Sequence, residues 1–99
     1  MKKCLDKDKN YFEFMQFDGT YESTKPLQED WNVFPINCQF SYAPEDEKIK
    51  AHFYFKCKID DHFNTKLFKL NYMDYLLKNR FGDYYVVGFD EFKNNYSIL

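Results

Sequence analysis

The chain has 99 residues and a net charge of −2, so it lacks the strong overall positive field of a bulk nucleic-acid or anionic-membrane binder. Its length fits a single domain spanning 1–99, and 22% of its residues are aromatic. The 3 cysteines, Cys4, Cys38 and Cys57, are odd in number and have no paired spacing, which argues against a secreted disulfide scaffold and reads as reduced thiols.

Residues 1–9 alternate charge around a lone Leu5 and read as a loose tail. No apolar stretch follows, so the segment is not a signal peptide. No apolar run approaches membrane length, which leaves a cytoplasmic location and no membrane partner as the expectation. Asn10 to Phe17 is aromatic-rich and reads as a strand. Asp18-Gly19 then signals a hairpin turn, with Thr20 to Thr24 as the return strand. Lys25-Pro26 ends that pairing, and Leu27 to Trp31 can close a helical turn. Asn32 to Tyr42 reads as extended chain interrupted at Pro35, which confines it to a sheet edge or a strand start, and an exposed edge there permits a homodimer. Ala43 to Glu47 reads as a turn.

The strongest pattern runs from Ile49 to Ile59. Ile49, Ala51, Phe53, Phe55, Cys57 and Ile59 fall on one side, while Lys50, His52, Tyr54, Lys56 and Lys58 fall on the other. Unbroken period two predicts a long antiparallel strand with one side in the core and the other in water. Asp60 to Asn64 reads as a turn and Thr65 to Leu70 as a return strand, with K-L-F-K-L alternatively the start of a helix. Asn71 resembles a helix cap with Asp74 in the first turn. Met73, Leu76, Leu77 and Arg80 follow at helical spacing, predicting the main helix over about 72–81. Asp83 to Phe92 reads as a final strand with a bulge at Gly88, and residues 94–99 as a loose end. The expected fold is α+β: an antiparallel β-sheet of about four to six strands, with that one helix on one face.

No motif carries chemistry. His52 and Cys57 point to opposite sides of the predicted strand, and His62 with Asp60 and Asp61 completes no zinc spacing, so neither a metal nor a cofactor is expected. Gly19, Gly82 and Gly88 never cluster into a phosphate loop. Paired acids such as Asp90-Glu91 fit solvated turns. Nothing pairs a nucleophile with a base, so the chain reads as a non-enzyme.

Charge is segregated along the chain. Glu13 to Glu47 carries a net −7, and Lys48 to Arg80 a net +5. Lysine outnumbers the single arginine thirteenfold, as an A/T-rich genome would encode. These traits lead to two expectations. The first is a small protein-binding protein that occludes a larger partner, such as a nucleic-acid-binding effector. A specific version is a phage or mobile-element inhibitor of a host defence nuclease, of the anti-CRISPR kind. Its contact residues would be Glu22, Glu29, Asp30, Trp31, Glu45, Asp46, Glu47 and Tyr84, with tyrosine or Trp31 as anchor. The alternative is a single-stranded nucleic-acid-binding module using Lys48, Lys50, His52, Tyr54, Lys56 and Lys58.

Overall fold

The computed structural model describes residues 2–41, 50–58 and 65–99; at Lys58 only the backbone is described. The expected turns at 43–47 and 60–64, with Ile49 and Ile59, lie outside these residues. The fold is α+β. Among the described residues, eight strands form two antiparallel sheets, one of five strands and one of three.

The first strand, β1 (Lys2–Asp6), pairs with β2 (Tyr11–Gln16) through a tight connection. The Asp6 carboxylate accepts hydrogen bonds from the backbone N–H of Asp8 and Asn10, at 2.9 and 2.8 Å, and from the Asn10 side-chain amide at 2.9 Å. The expected loose N-terminal tail is therefore a strand. Cys4 is wholly buried, and β1 lies between β2 and the last strand, β8 (Tyr96–Ile98). The C-terminal end is likewise engaged: β8 pairs with β1, and the N–H of Leu99 donates to the carbonyl of Lys3 at 2.9 Å.

Asp18-Gly19 does turn the chain, with Gly19 at φ 90°, but no return strand follows. Glu22–Thr24 forms a 3-10 turn that runs directly into α1 (Lys25–Asp30). The hydroxyls of Ser23 and Thr24 donate to the carbonyls of Thr20 and Tyr21, which closes helical rather than extended geometry. Pro26 sits in the first turn of α1, where a missing N–H costs nothing. The next strand, β3 (Phe34–Gln39), is an edge strand with a register shift between Pro35 and Asn37, as the proline requires.

β4 (His52–Lys58) is the centre of the three-stranded sheet, flanked by β3 and β5 (Thr65–Asn71). Its inner side is the predicted one: Phe53, Phe55 and Cys57 are buried, with Ala51 just before the strand. They pack with Leu70 of β5 and with Phe17, Leu27, Trp31 and Val33.

The expected helix over 72–81 is not formed. Residues 71–74 make a turn with Met73 at φ 70°, and the chain continues as β6 (Tyr75–Asn79). β6 lies inside the five-stranded sheet, between β2 and β7 (Tyr84–Val87). Leu76 joins the core under the three-stranded sheet, while Leu77 joins a second cluster with Cys4, Phe14, Tyr75, Val87 and Phe92. A strand buried on both sides shows no alternation, and its adjacent leucines imitate one side of a helix. The Asn71–Asp74 pair is real but serves the turn, since the Asp74 carboxylate accepts the Asn71 N–H at 2.8 Å.

The final expected strand also divides. β7 ends at Val87, and Gly88 is the N-cap of α2 (Phe89–Asn95), not a bulge. Asp90 and Glu91 in the first turn and Lys93 in the last suit the helix dipole. Phe92 of α2 stacks on Tyr75 with ring centroids 3.8 Å apart and planes 10° from parallel, which covers one side of the five-stranded sheet.

Candidate nucleic-acid interface

The outer side of the three-stranded sheet is built by register. Residues directly opposite in an antiparallel ladder share a side, so each outward residue of β4 defines a row of three. His52 lies between Gln39 and Asn71, Tyr54 between Asn37 and Lys69, and Lys56 between Phe34 and Leu67. Lys58 stands opposite Thr65 at the end of the ladder. Lys50 is exposed in the turn before β4, and Lys48 lies outside the described residues.

This side is accessible and mixed in chemistry. Phe34 is 58% exposed and Leu67 is 49% exposed, while Lys56 and Lys69 reach into solvent. Tyr54 is half-buried at the centre, with the Lys69 ammonium 5.9 Å from its ring centroid. No acidic residue occurs in β3, β4 or β5. The strands themselves are basic, with Lys56, Lys58, Lys66 and Lys69, while Glu45, Asp46, Glu47, Asp60 and Asp61 belong to the connecting segments outside the described residues. Strands about 4.8 Å apart make the platform roughly 10 Å wide, and outward residues repeat about every 6.8 Å along each strand. Such a surface offers aromatic and aliphatic faces for flat rings, with ammonium groups between them for anions.

The acidic set fares differently. Glu22, Glu29 and Asp30 are exposed around α1, and Glu22 pairs with Lys25 one turn away at 3.1 Å. Glu45, Asp46 and Glu47 lie outside the described residues. Trp31 is a correction: it is only 5% exposed, packs in the core 5.8 Å from the Tyr84 ring, and has the Lys78 ammonium 5.8 Å from its own ring. A side chain held there cannot anchor a partner from outside. Tyr84 packs against the same cluster, and burial pushes its hydroxyl pKa upward.

Phe34, Asn37, Leu67 and Lys69 were not among the expected site residues. Their only sequence signal is period two within their own strands, which does not say which strand stands beside which.

Thiol chemistry is disfavoured. Burial pushes Cys4 and Cys57 up to about 11 from the ordinary 9.0, and burial also raises Cys38. This is the wrong direction for a thiolate nucleophile. A raised thiol pKa in the fold contributes stability that is fully present below pH 9.0 and is lost as pH climbs toward 11. Buried Tyr75 and half-buried Tyr84 and Tyr96 are shifted the same way. The melting temperature should therefore fall across that alkaline window, and fall less in a Cys4→Ala/Cys57→Ala variant. An equal fall in both proteins would show that the thiols are not responsible. Among the described residues, no group of three or more His, Cys, Asp or Glu side chains is placed to hold a metal ion.

Fold and site together define an α+β protein that presents an open, lysine-bearing antiparallel sheet. No family model matches the chain, and comparison with curated proteins and with solved structures finds no significant match. No helix among the described residues is long and apolar enough to cross a membrane.

Proposed function

We propose that the chain binds single-stranded nucleic acid on the outer side of its three-stranded sheet. One observation carries this reading: Tyr54 sits at the centre of a platform edged by Phe34, Lys56, Leu67 and Lys69, and none of its strands contributes an acid. Bases stack on the rings and on the flat apolar surface, while the lysines follow the phosphates. Lysine supplies a point charge rather than a fork, so recognition is tolerant of sequence. A platform of this kind suits unpaired bases, which a duplex keeps stacked inside.

The test is fluorescence anisotropy of labelled oligonucleotides at rising salt. Single strands should bind at low salt with an affinity that declines linearly on a log–log plot, and a duplex of equal length should bind more weakly. Absence of binding to any strand at low salt rejects the reading.

Surface occlusion of a larger protein, including a defence nuclease, is the second reading. It is supported by the exposed Glu22, Glu29 and Asp30 around α1, a cluster that suits a basic channel. Failure to recover a stoichiometric partner from nuclease-treated lysate would count against it.

A further inference from the structure

The connection between β6 and β7 presents an aromatic side chain in an unusual way. Phe81 is 74% exposed, more than any other large apolar side chain among the described residues. Leaving a phenyl ring in water forgoes most of the stabilisation its burial would give. A flexible loop could tolerate this by folding the ring back, but this connection is stiff. The Asn79 side-chain oxygen accepts the N–H of Phe81 and of Asp83, each at 2.9 Å. Its amide donates to the Asp83 carboxylate at 3.2 Å, and the backbones of Asn79 and Asp83 pair at 3.0 Å. Gly82 supplies the left-handed residue at φ 86°. The turn therefore fixes the backbone that carries Phe81.

Beside it lies a cavity of about 330 Å³ lined by Lys9, Tyr11, Arg80, Phe81 and Tyr85, among others. The volume falls within the range of small-molecule sites. Tyr11 and Tyr85 are themselves exposed, so with Phe81 three exposed rings border one space that the half-buried Phe12 also lines. Arg80 is the sole arginine of the chain, and its guanidinium lies 4.8 Å from the Phe81 ring centroid. A guanidinium in cation–π contact with one ring still has N–H donors left for an anion. Lys9, at φ 64° in the β1–β2 connection, adds a second cation.

We propose that this cavity is a nucleotide site, with the base stacked on the open side of Phe81 and the phosphate taken by Arg80 and Lys9. None of these residues belongs to the three-stranded sheet, so the site goes beyond the platform described above. The same chemistry could come from a free mononucleotide or from one unit of a longer strand.

The experiment follows the backbone amides of the full chain by NMR during titration with 5′-AMP, adenosine or inorganic phosphate. AMP should shift Asn79, Phe81, Gly82 and Tyr85 saturably, and bind about tenfold or more tightly than either fragment alone. Arg80→Ala and Phe81→Ala, both at exposed positions, should each weaken AMP binding by about five- to tenfold and leave the remaining spectrum unchanged. If the same variants also weaken binding of a labelled oligonucleotide, the natural source is a polynucleotide unit; if they spare it, the source is a free nucleotide. No shift at millimolar AMP in low salt, or shifts that survive both substitutions, overturns the proposal. A Lys56→Glu/Lys69→Glu variant separates the two sites, because it should retain AMP binding whatever becomes of strand binding.

Discussion

Replacing Lys56 and Lys69 together by glutamate should lower affinity for a labelled single strand by about two orders of magnitude at low salt. Both lysines are exposed, on adjacent strands of the same open side. Each reversal removes an attraction and adds a repulsion. If each lysine neutralises one phosphate, the slope of log affinity against log salt should become shallower by about 1.4. Folding stability should stay within about 0.5 kcal/mol, because neither side chain is buried. Tyr54→Ala is the complementary change. It should cost about 1–3 kcal/mol of binding with little change in salt slope, because stacking is lost and charge is not. Equal affinities and slopes for wild type and the double variant would show that the strand does not lie on this sheet.

Phe53→Ala should have the largest effect on stability, about 3–5 kcal/mol. Phe53 is wholly buried near the start of β4, the central strand of its sheet. Its ring stacks on Phe55 at 5.0 Å and approaches Phe17 at 6.1 Å and Phe40 at 6.3 Å. Removing it opens a void bordered by three other rings, of which Phe17 and Phe55 are themselves wholly buried. Against a typical total of about 5–15 kcal/mol, such a loss brings the fold near its midpoint. Urea unfolding measures the difference. Phe34→Ala, on the opposite side of the same sheet, should change stability by only about 0.5 kcal/mol. A loss below about 1 kcal/mol for Phe53→Ala would mean that the two sides of β4 have been assigned the wrong way round.

How much of this could be read in advance depended on whether an element has one wet side. β4 does, and its alternation from Ala51 to Cys57 revealed both strand and orientation. β6 does not: Leu76 and Leu77 enter different cores, and the pattern collapsed into apparent helical spacing. β1 was concealed by its charges, since only Cys4 turns fully inward and the lysines beside it resemble a solvated tail. The Asp6–Asn10 turn was the available clue. Trp31 was misplaced because it follows a run of acids at the end of a short helix, and local polarity gave no hint of the core beneath. Among the platform residues, those on β4 were visible as one side of a strand. Phe34, Leu67 and Lys69 became neighbours only through pairing, which is a long-range property and leaves no local mark.

The order of pairing has a consequence for how the nascent chain matures. β3, β4 and β5 are consecutive, so their sheet can assemble as soon as residue 71 has emerged. β2 must wait, because its partner on the other flank is β6, with Phe14 opposite Leu77. During translation the β1–β2 hairpin would carry two unpaired edges while the entire smaller sheet is synthesised. The closures of β2 on β6 and of β1 on β8 span the longest intervals among the strand pairs and carry the largest loop entropy.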